Sequence, residues 1–179
     1  GIVPGGPGHS QQGVRDIAAM SAMPGITVIE PSCEEELEML LGWAINNNKK
    51  SSYMRLSSLP IVTNFNLPSS YQPVVGQGVQ LLSGRENMIV AYGPQMLTTA
   101  MTVAKNTKKK LGLEIGVVNL PWLNEIDLVW LNHLLNPVKQ LFVIDNHYEI
   151  GGLGDRISSA IASESTIDVN VTCIGLKAV

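Results

Sequence analysis

The chain has 179 residues, of which 45% are hydrophobic and 15% charged, with a mean hydropathy of +0.16. That excludes a disordered or low-complexity chain and leaves room for one large domain or one and a half small ones. Twelve Lys and Arg stand against 15 Asp and Glu, a formal charge of −3, so the basic footprint of a nucleic-acid binder is missing.

Two cysteines, Cys33 and Cys173, lie outside any CxxC or Cys/His metal spacing and suit a reducing cytoplasm better than secretion. Apolar runs such as 141–144 are strand-length, too short to cross a membrane. The chain opens on Gly1 rather than Met, in a stretch holding Pro4, Gly5, Gly6, Pro7 and Gly8. Those residues specify a loop, and the opening is expected to be the middle of something longer.

From Gln12 onward, Val14, Ile17, Ala18 and Ser21 share one helical face opposite Arg15 and Asp16, and Pro24-Gly25 ends the pattern. The β-branched run 26–29 predicts a buried strand stopped by Pro31. Ser32 and Glu35 then form a capping box, with Glu34, Glu35 and Glu36 in the first turn where the helix dipole favours negative charge. The helix that follows is expected to bury Leu37, Leu40, Leu41, Ala44 and Ile45. Strand 53–56 completes a strand, helix, strand unit that implies a right-handed parallel crossover.

Between Leu59 and Gln80 the periodicity vanishes among Pro60, Pro68, Pro73, Gly76 and Gly78, a linker pattern. Beyond it, strands at 88–92, 115–118, 141–144 and 169–174 alternate with helices at 96–110, 126–135 and 153–162. This order requires a parallel sheet covered by helices.

Four features invite a chemical reading. His9 precedes a helix start, where an imidazole and backbone N–H groups can meet an anionic or hydroxylated ligand; a solvated loop histidine is the alternative. Gly151-Gly152-Leu153-Gly154 sits between a strand and a helix, but lacks the dinucleotide and P-loop spacings, so tight turning and close packing explain it better. Asp145-Asn146-His147 falls at the carboxyl end of a strand, where open α/β sheets bind ligands; capping the next turn, or touching a neighbouring subunit, is the favoured explanation. Cys33 at a helix start has no His or Asp partner in register and is read as unreactive.

Taken in order, these segments resemble the C-terminal half of a transketolase, specifically the C-terminal subunit of split transketolases. Gly6-Pro7-Gly8-His9-Ser10-Gln11 is similar to the family's DG[PA]THQ loop. The run 23–31 (MPGITVIEP) is similar to a strand entry of the pyrimidine-binding domain, and Tyr53 to Ser58 to the [IL]RLGR strand end. Asn87 to Gly93 resembles the opening strand of the C-terminal domain, and Val143 to Gly154 its V-x-E-[ED]-H-x-x-x-G-G-L-G signature.

The resemblance implies an α/β fold: the C-terminal part of a thiamine-diphosphate pyrimidine-binding domain over 1–60, a linker over 61–76 and a complete transketolase C-terminal domain, with its parallel sheet, over 77–179. It implies ketol transfer from a ketose to an aldose, with thiamine diphosphate and magnesium in the full assembly. The pyrophosphate-binding subunit or domain would be a separate partner, in a homodimer or heterotetramer. The cofactor-activating glutamate and stacking aromatics are expected upstream of Gly1, so the chain would be inactive alone.

By position His9 matches the histidine that lies against the donor's hydroxyl groups, and is the expected catalytic and substrate-binding residue. The loop's aspartate falls on Gly5. The phosphate-binding arginine falls on Ser58, while Arg55 keeps an earlier basic position and is expected to bind substrate; losing the bidentate clamp argues against the usual phosphorylated acceptor or for another phosphate holder. The same fold serves β subunits of 2-oxoacid dehydrogenase E1 components and deoxyxylulose-phosphate synthases, and the Met54-Arg55-Leu56 strand with the 147–154 signature favours transketolase. A non-catalytic subunit-association module is the alternative outside enzymes.

Overall fold

The structure is a computed structural model and describes residues 1–2, 12–164 and 167–177. Among the described residues seven strands and five helices run in the order α1 (Asp16–Ser21), β1 (Ile26–Ile29), α2 (Glu34–Asn46), β2 (Ser51–Met54), β3 (Val79–Leu82), β4 (Asn87–Ala91), α3 (Gly93–Leu111), β5 (Gly116–Asn119), α4 (Leu128–Leu135), β6 (Gln140–Tyr148), α5 (Leu153–Ala162) and β7 (Asn170–Leu176). Strands β1 and β2 pair in parallel across the α2 crossover, as expected of a strand, helix, strand unit. The larger sheet has the order β3-β5-β4-β6-β7.

That sheet departs from the all-parallel expectation at one edge. Its β4, β5, β6 and β7 are parallel, but β3 joins β5 antiparallel with a register shift between Gln80 and Leu82. Four residues flanked by Gly78 and Gly84 carry too little periodicity to announce themselves, and a short, kinked edge strand blunts an otherwise open sheet edge.

Helix α2 also departs from its expected face. Its inward stripe is Glu36, Leu40 and Trp43, while Leu41 is 47% and Ile45 71% exposed. Ser32 bonds not to Glu35 but to Glu36, through its N–H (2.7 Å) and its hydroxyl (2.6 Å). The polar pair dictates which face turns inward, because a buried carboxylate must carry its donors with it. Glu34 and Glu35 stay exposed on the first turn, as the helix dipole favours.

The first helix is shorter than its pattern, six residues from Asp16. Gly93 and Pro94 open α3 rather than precede it, and the three lysines 108–110 close it before Gly112 in the left-handed region. Asp127 caps α4, accepting from Val129 and Trp130 N–H.

The two sheets are stitched together along β1. Glu30 N–H donates to Pro121 O (3.0 Å) and Leu123 N–H to Val28 O (2.8 Å). Asn124 brackets the same strand, its Oδ1 accepting from Val28 N–H and its Nδ2 donating to Ile26 O, each at 2.8 Å. Trp122, fully buried, meets the Trp43 ring edge-on at 4.8 Å, the favoured geometry for aromatic pairs. One apolar core therefore runs from Val28 and Leu40 through Trp122 to Leu141 and Ile157.

The stretch 61–76 holds neither helix nor strand, yet it is packed. Phe65 and Tyr71 are buried, and Asn64 is tied to α3 through Thr98 O, the Thr102 hydroxyl and Lys105 Nζ.

Candidate active site

The carboxyl-terminal parts of β1, β2, β4 and β6 converge; β1, β2 and β4 deliver Glu30, Arg55 and Tyr92 just past their ends, and β6 delivers Asp145-Asn146 where its regular pairing with β7 stops. This is where parallel sheets place ligand-binding groups. Strand β6 achieves it with an irregularity. Its inward-outward alternation breaks at Asp145, Asn146 and His147, all three buried, where the register with β7 shifts. Such interruptions re-aim side chains.

Arg55 is the hub. Its Nε donates to Asp16 Oδ2 (2.7 Å), one terminal nitrogen to Glu30 Oε2 and to Asn146 Oδ1 (2.8 Å), and the other to Gly13 O (3.1 Å) and Asp16 Oδ1 (3.2 Å). All five guanidinium N–H groups are thereby used. Burial disfavours its charge, but Glu30 and Asp16 outweigh that and raise its pKa. Burial likewise pushes Asp16 up, and the Arg55 hydrogen bond and charge reverse the balance, holding it below its usual 3.8. Burial dominates at Glu30 and lifts its carboxyl above 4.5, against the pull of Arg55 and Asn146.

Asn146 ties the two sheets together: its Nδ2 donates to Glu30 Oε1 (3.0 Å) and its Oδ1 accepts from Arg55 and from the Tyr92 hydroxyl (3.2 Å). Gly93 makes room for this arrangement. Its φ of +64° suits glycine, and a Cβ there would collide with the Glu30 carboxylate.

Asp145 looks the other way. It accepts from Tyr92 Oη (2.8 Å), Leu153 N–H (3.1 Å) and Gly154 N–H (2.9 Å). The expected capping role therefore holds for Asp145, and the glycine turn is no phosphate cradle, because an internal carboxylate already occupies the amides at the start of α5. Close packing explains Gly154, where a Cβ would lie 2.7 Å from Cys173 Sγ. His147 is buried against α1, its Nε2 accepting from Ala18 N–H (3.4 Å) and its Nδ1 donating to Tyr148 O (2.7 Å).

Beside the Arg55 cluster opens a cleft of about 550 Å³, between the start of α2 and the segment after β2. Ser57, Ser58, Cys33, Glu34 and Glu35 line it. Burial first of all pushes the Cys33 thiol up to about 11, in keeping with an unreactive cysteine. Its inner end adjoins a small cavity bounded by Glu30, Arg55 and Asn146.

Of the residues expected at the site, Arg55 sits at its centre and Ser58 on the cleft wall, while His9 and Gly5 lie outside the described residues. Asn146 belongs to the Asp145-Asn146-His147 group at its strand's carboxyl end, whereas Glu30 reads locally as the end of a strand, its sequence signal a carboxylate immediately after an apolar β-branched run. Among the described residues no three His, Cys, Asp or Glu side chains converge as metal ligands. With the α5 amides also taken, the described residues do not fit a metal-bound diphosphate.

Comparison with known proteins gives a consistent picture. Residues 1–59 match the family model described as transketolase, pyrimidine binding domain, and residues 76–179 match transketolase, C-terminal domain. A 1-deoxy-D-xylulose-5-phosphate synthase of Clostridium botulinum is 31% identical over 157 residues, covering 88% of this chain and 25% of that protein. A transketolase family protein of Sinorhizobium fredii is 28% identical over 174 residues, 96% of this chain and 49% of that protein. Among solved structures, a split gene transketolase described as an inactive β4 tetramer superposes with a TM-score of 0.84 at 25% identity, over 95% of this chain and 54% of that one. The transketolase of Campylobacter jejuni, at 17% identity, shares the fold with a TM-score of 0.68 over 93% of this chain and 24% of that one. The chain thus spans about a quarter of the synthases it matches and about half of the Sinorhizobium fredii protein and of the split gene transketolase.

Proposed function

This chain belongs to the transketolase family, and from that membership we propose that it is part of a thiamine-diphosphate-dependent transketolase. It would move a two-carbon ketol unit from a ketose to an aldose, as the C-terminal subunit or the C-terminal portion of a longer one. The observation that carries the reading is the likeness to the split gene transketolase over 95% of this chain, with both family domains matched in order.

Thiamine diphosphate, when bound, supplies the electron sink for carbon–carbon bond cleavage. The proposal assigns its diphosphate and magnesium to a pyrophosphate-binding partner subunit or domain. This chain's part is to shape the substrate side: His9 against the sugar hydroxyls, and Arg55 holding together the carboxyl ends of both sheets. The division into 1–60, 61–76 and 77–179 follows the same reading. Inactivity alone and a multi-subunit assembly are supported by the description of the solved relative as an inactive β4 tetramer; a homodimer or heterotetramer with the pyrophosphate-binding partner is the proposed active form. The proposed compartment is the cytoplasm, which suits two free cysteines; among the described residues no helix is long and apolar enough to cross a membrane.

Reconstitution with a pyrophosphate-binding subunit, thiamine diphosphate and magnesium is expected to give ketol transfer, followed by product sugars. No transfer from several ketose donors overturns the reading. A second reading rests on the curated synthases at up to 31% identity: formation of 1-deoxy-D-xylulose 5-phosphate, with release of carbon dioxide, when the reconstituted protein is given pyruvate and glyceraldehyde 3-phosphate in place of the ketose and aldose would move the chain to that activity.

A further inference from the structure

The cleft and the small cavity at its inner end share Leu56, Ser57, Ile61 and Pro94, so a molecule in the cleft meets Glu30, Arg55 and Asn146 at its far end. A phosphate there would need a cation with free donors. Among the described residues that line the cleft none is Lys or Arg, and two are the carboxylates Glu34 and Glu35. Among the described residues the one cationic side chain lining the inner cavity is Arg55, whose five N–H groups are all spent on Asp16, Glu30, Asn146 and Gly13 O, and whose charge is met by two carboxylates.

The two groups beside it are differently placed. Among the described residues Glu30 is bonded through one donor at each carboxylate oxygen, and each oxygen has a further lone pair to offer. Asn146 Nδ2 spends one of its two N–H groups on Glu30. A carboxylate that accepts next to an amide that donates matches a hydroxyl group, which does both, and repels a phosphate. Gly93, which admits the Glu30 carboxylate at this point, makes the arrangement a built feature of the fold.

Resting on the transferase reading above, we propose that the end of the sugar entering this cleft carries no phosphate and is recognised through its hydroxyls by Glu30 and Asn146. Arg55 is then a positioning residue that holds both in place. Glu30 closes Arg55 to phosphate and so sets the substrate class.

The 179-residue chain titrated with inorganic phosphate, followed by the NMR signal of the Arg55 Nε–H, tests the closed guanidinium without any partner or turnover. The expected result is no saturable shift up to about 10 mM phosphate; saturable binding below that concentration that moves the Arg55 signal overturns the proposal. In the reconstituted enzyme, a free aldose is expected to exceed its terminal phosphate ester in kcat/KM by about tenfold or more. Glu30→Gln is expected to narrow that ratio by lowering kcat/KM for the free aldose and raising it for the ester. A wild-type preference for the ester overturns the substrate class. Failure with every acceptor counts against the transferase reading instead, and the phosphate titration still decides whether Arg55 is closed.

Discussion

Glu30 and Glu36 are both buried carboxylates, one just past the end of β1 and one in the first turn of α2, and the protein accommodates them by opposite means. Glu30 has a charged partner: Arg55 binds it together with Asp16 and Asn146. Among the described residues Glu36 has only uncharged donors. Its Oε2 accepts from the Ser32 N–H and hydroxyl, and its Oε1 from the Tyr71 hydroxyl and Asn119 Nδ2, both at 2.8 Å. Each cluster bridges the first 60 residues and the larger sheet.

The physical consequences differ. An ion pair concentrates the compensation in one residue, and losing that residue strands several groups at once. Four separate hydrogen bonds spread it, so that losing any one costs little. The concentrated cluster lies beside the cleft and the distributed one behind it, against the 61–76 stretch through Tyr71. This division suits a site whose polar groups must face a ligand while the scaffold behind them stays in place.

The contrast can be broken by mutation. Arg55→Ala leaves Glu30 and Asp16 buried without their cation and is expected to cost about 3–5 kcal/mol, read as a lower urea midpoint at unchanged slope. A loss below that of Glu36→Ala would remove the distinction between the clusters. Glu36→Ala strands Ser32, Tyr71 and Asn119 donors and is expected to cost about 2–3 kcal/mol in the same titration. Tyr71→Phe deletes one of the four donors and is expected to cost about 1 kcal/mol; a cost near that of Glu36→Ala would mean that the compensation is not distributed after all.

The smallest effect is in acid. Asp16 has a folded-state pKa below its unfolded 3.8, so the stability it contributes is present above pH 3.8 and is lost as pH falls through the depressed folded value. The stability gap between wild type and Asp16→Asn is therefore expected to be constant near neutrality and to close as pH falls below about 4. A gap that persists unchanged to pH 2 would mean that Asp16 is not held down by Arg55.

Much of the fold was legible in the chain itself. The β-branched run at 26–29, the apolar strands at 88–91 and 141–144 and the lysine-rich end of α3 encode their elements locally, since hydrogen bonding within a helix and alternation along a strand are satisfied by near neighbours. The joint order of the loop at His9, the strand end at Arg55 and the 143–154 signature was enough to identify the family. Legibility stopped at polar groups. Local pattern read Glu36 as one of three interchangeable helix-start charges and placed Leu41 and Ile45 inside; it also missed β3, whose antiparallel place is set by β5.

What only the tertiary structure decided is which polar side chain meets which. Arg55 finds Asp16 and Asn146, 39 and 91 positions away, and Glu36 finds Asn119 across 83. A buried carboxylate is stable only with its donors in place, and when those donors arrive from distant strand ends no local pattern records them. The sequence by itself determined the elements, their order and the family; the convergence of four strand ends determined that Arg55 is enclosed and that Glu30 and Asn146 face the cleft.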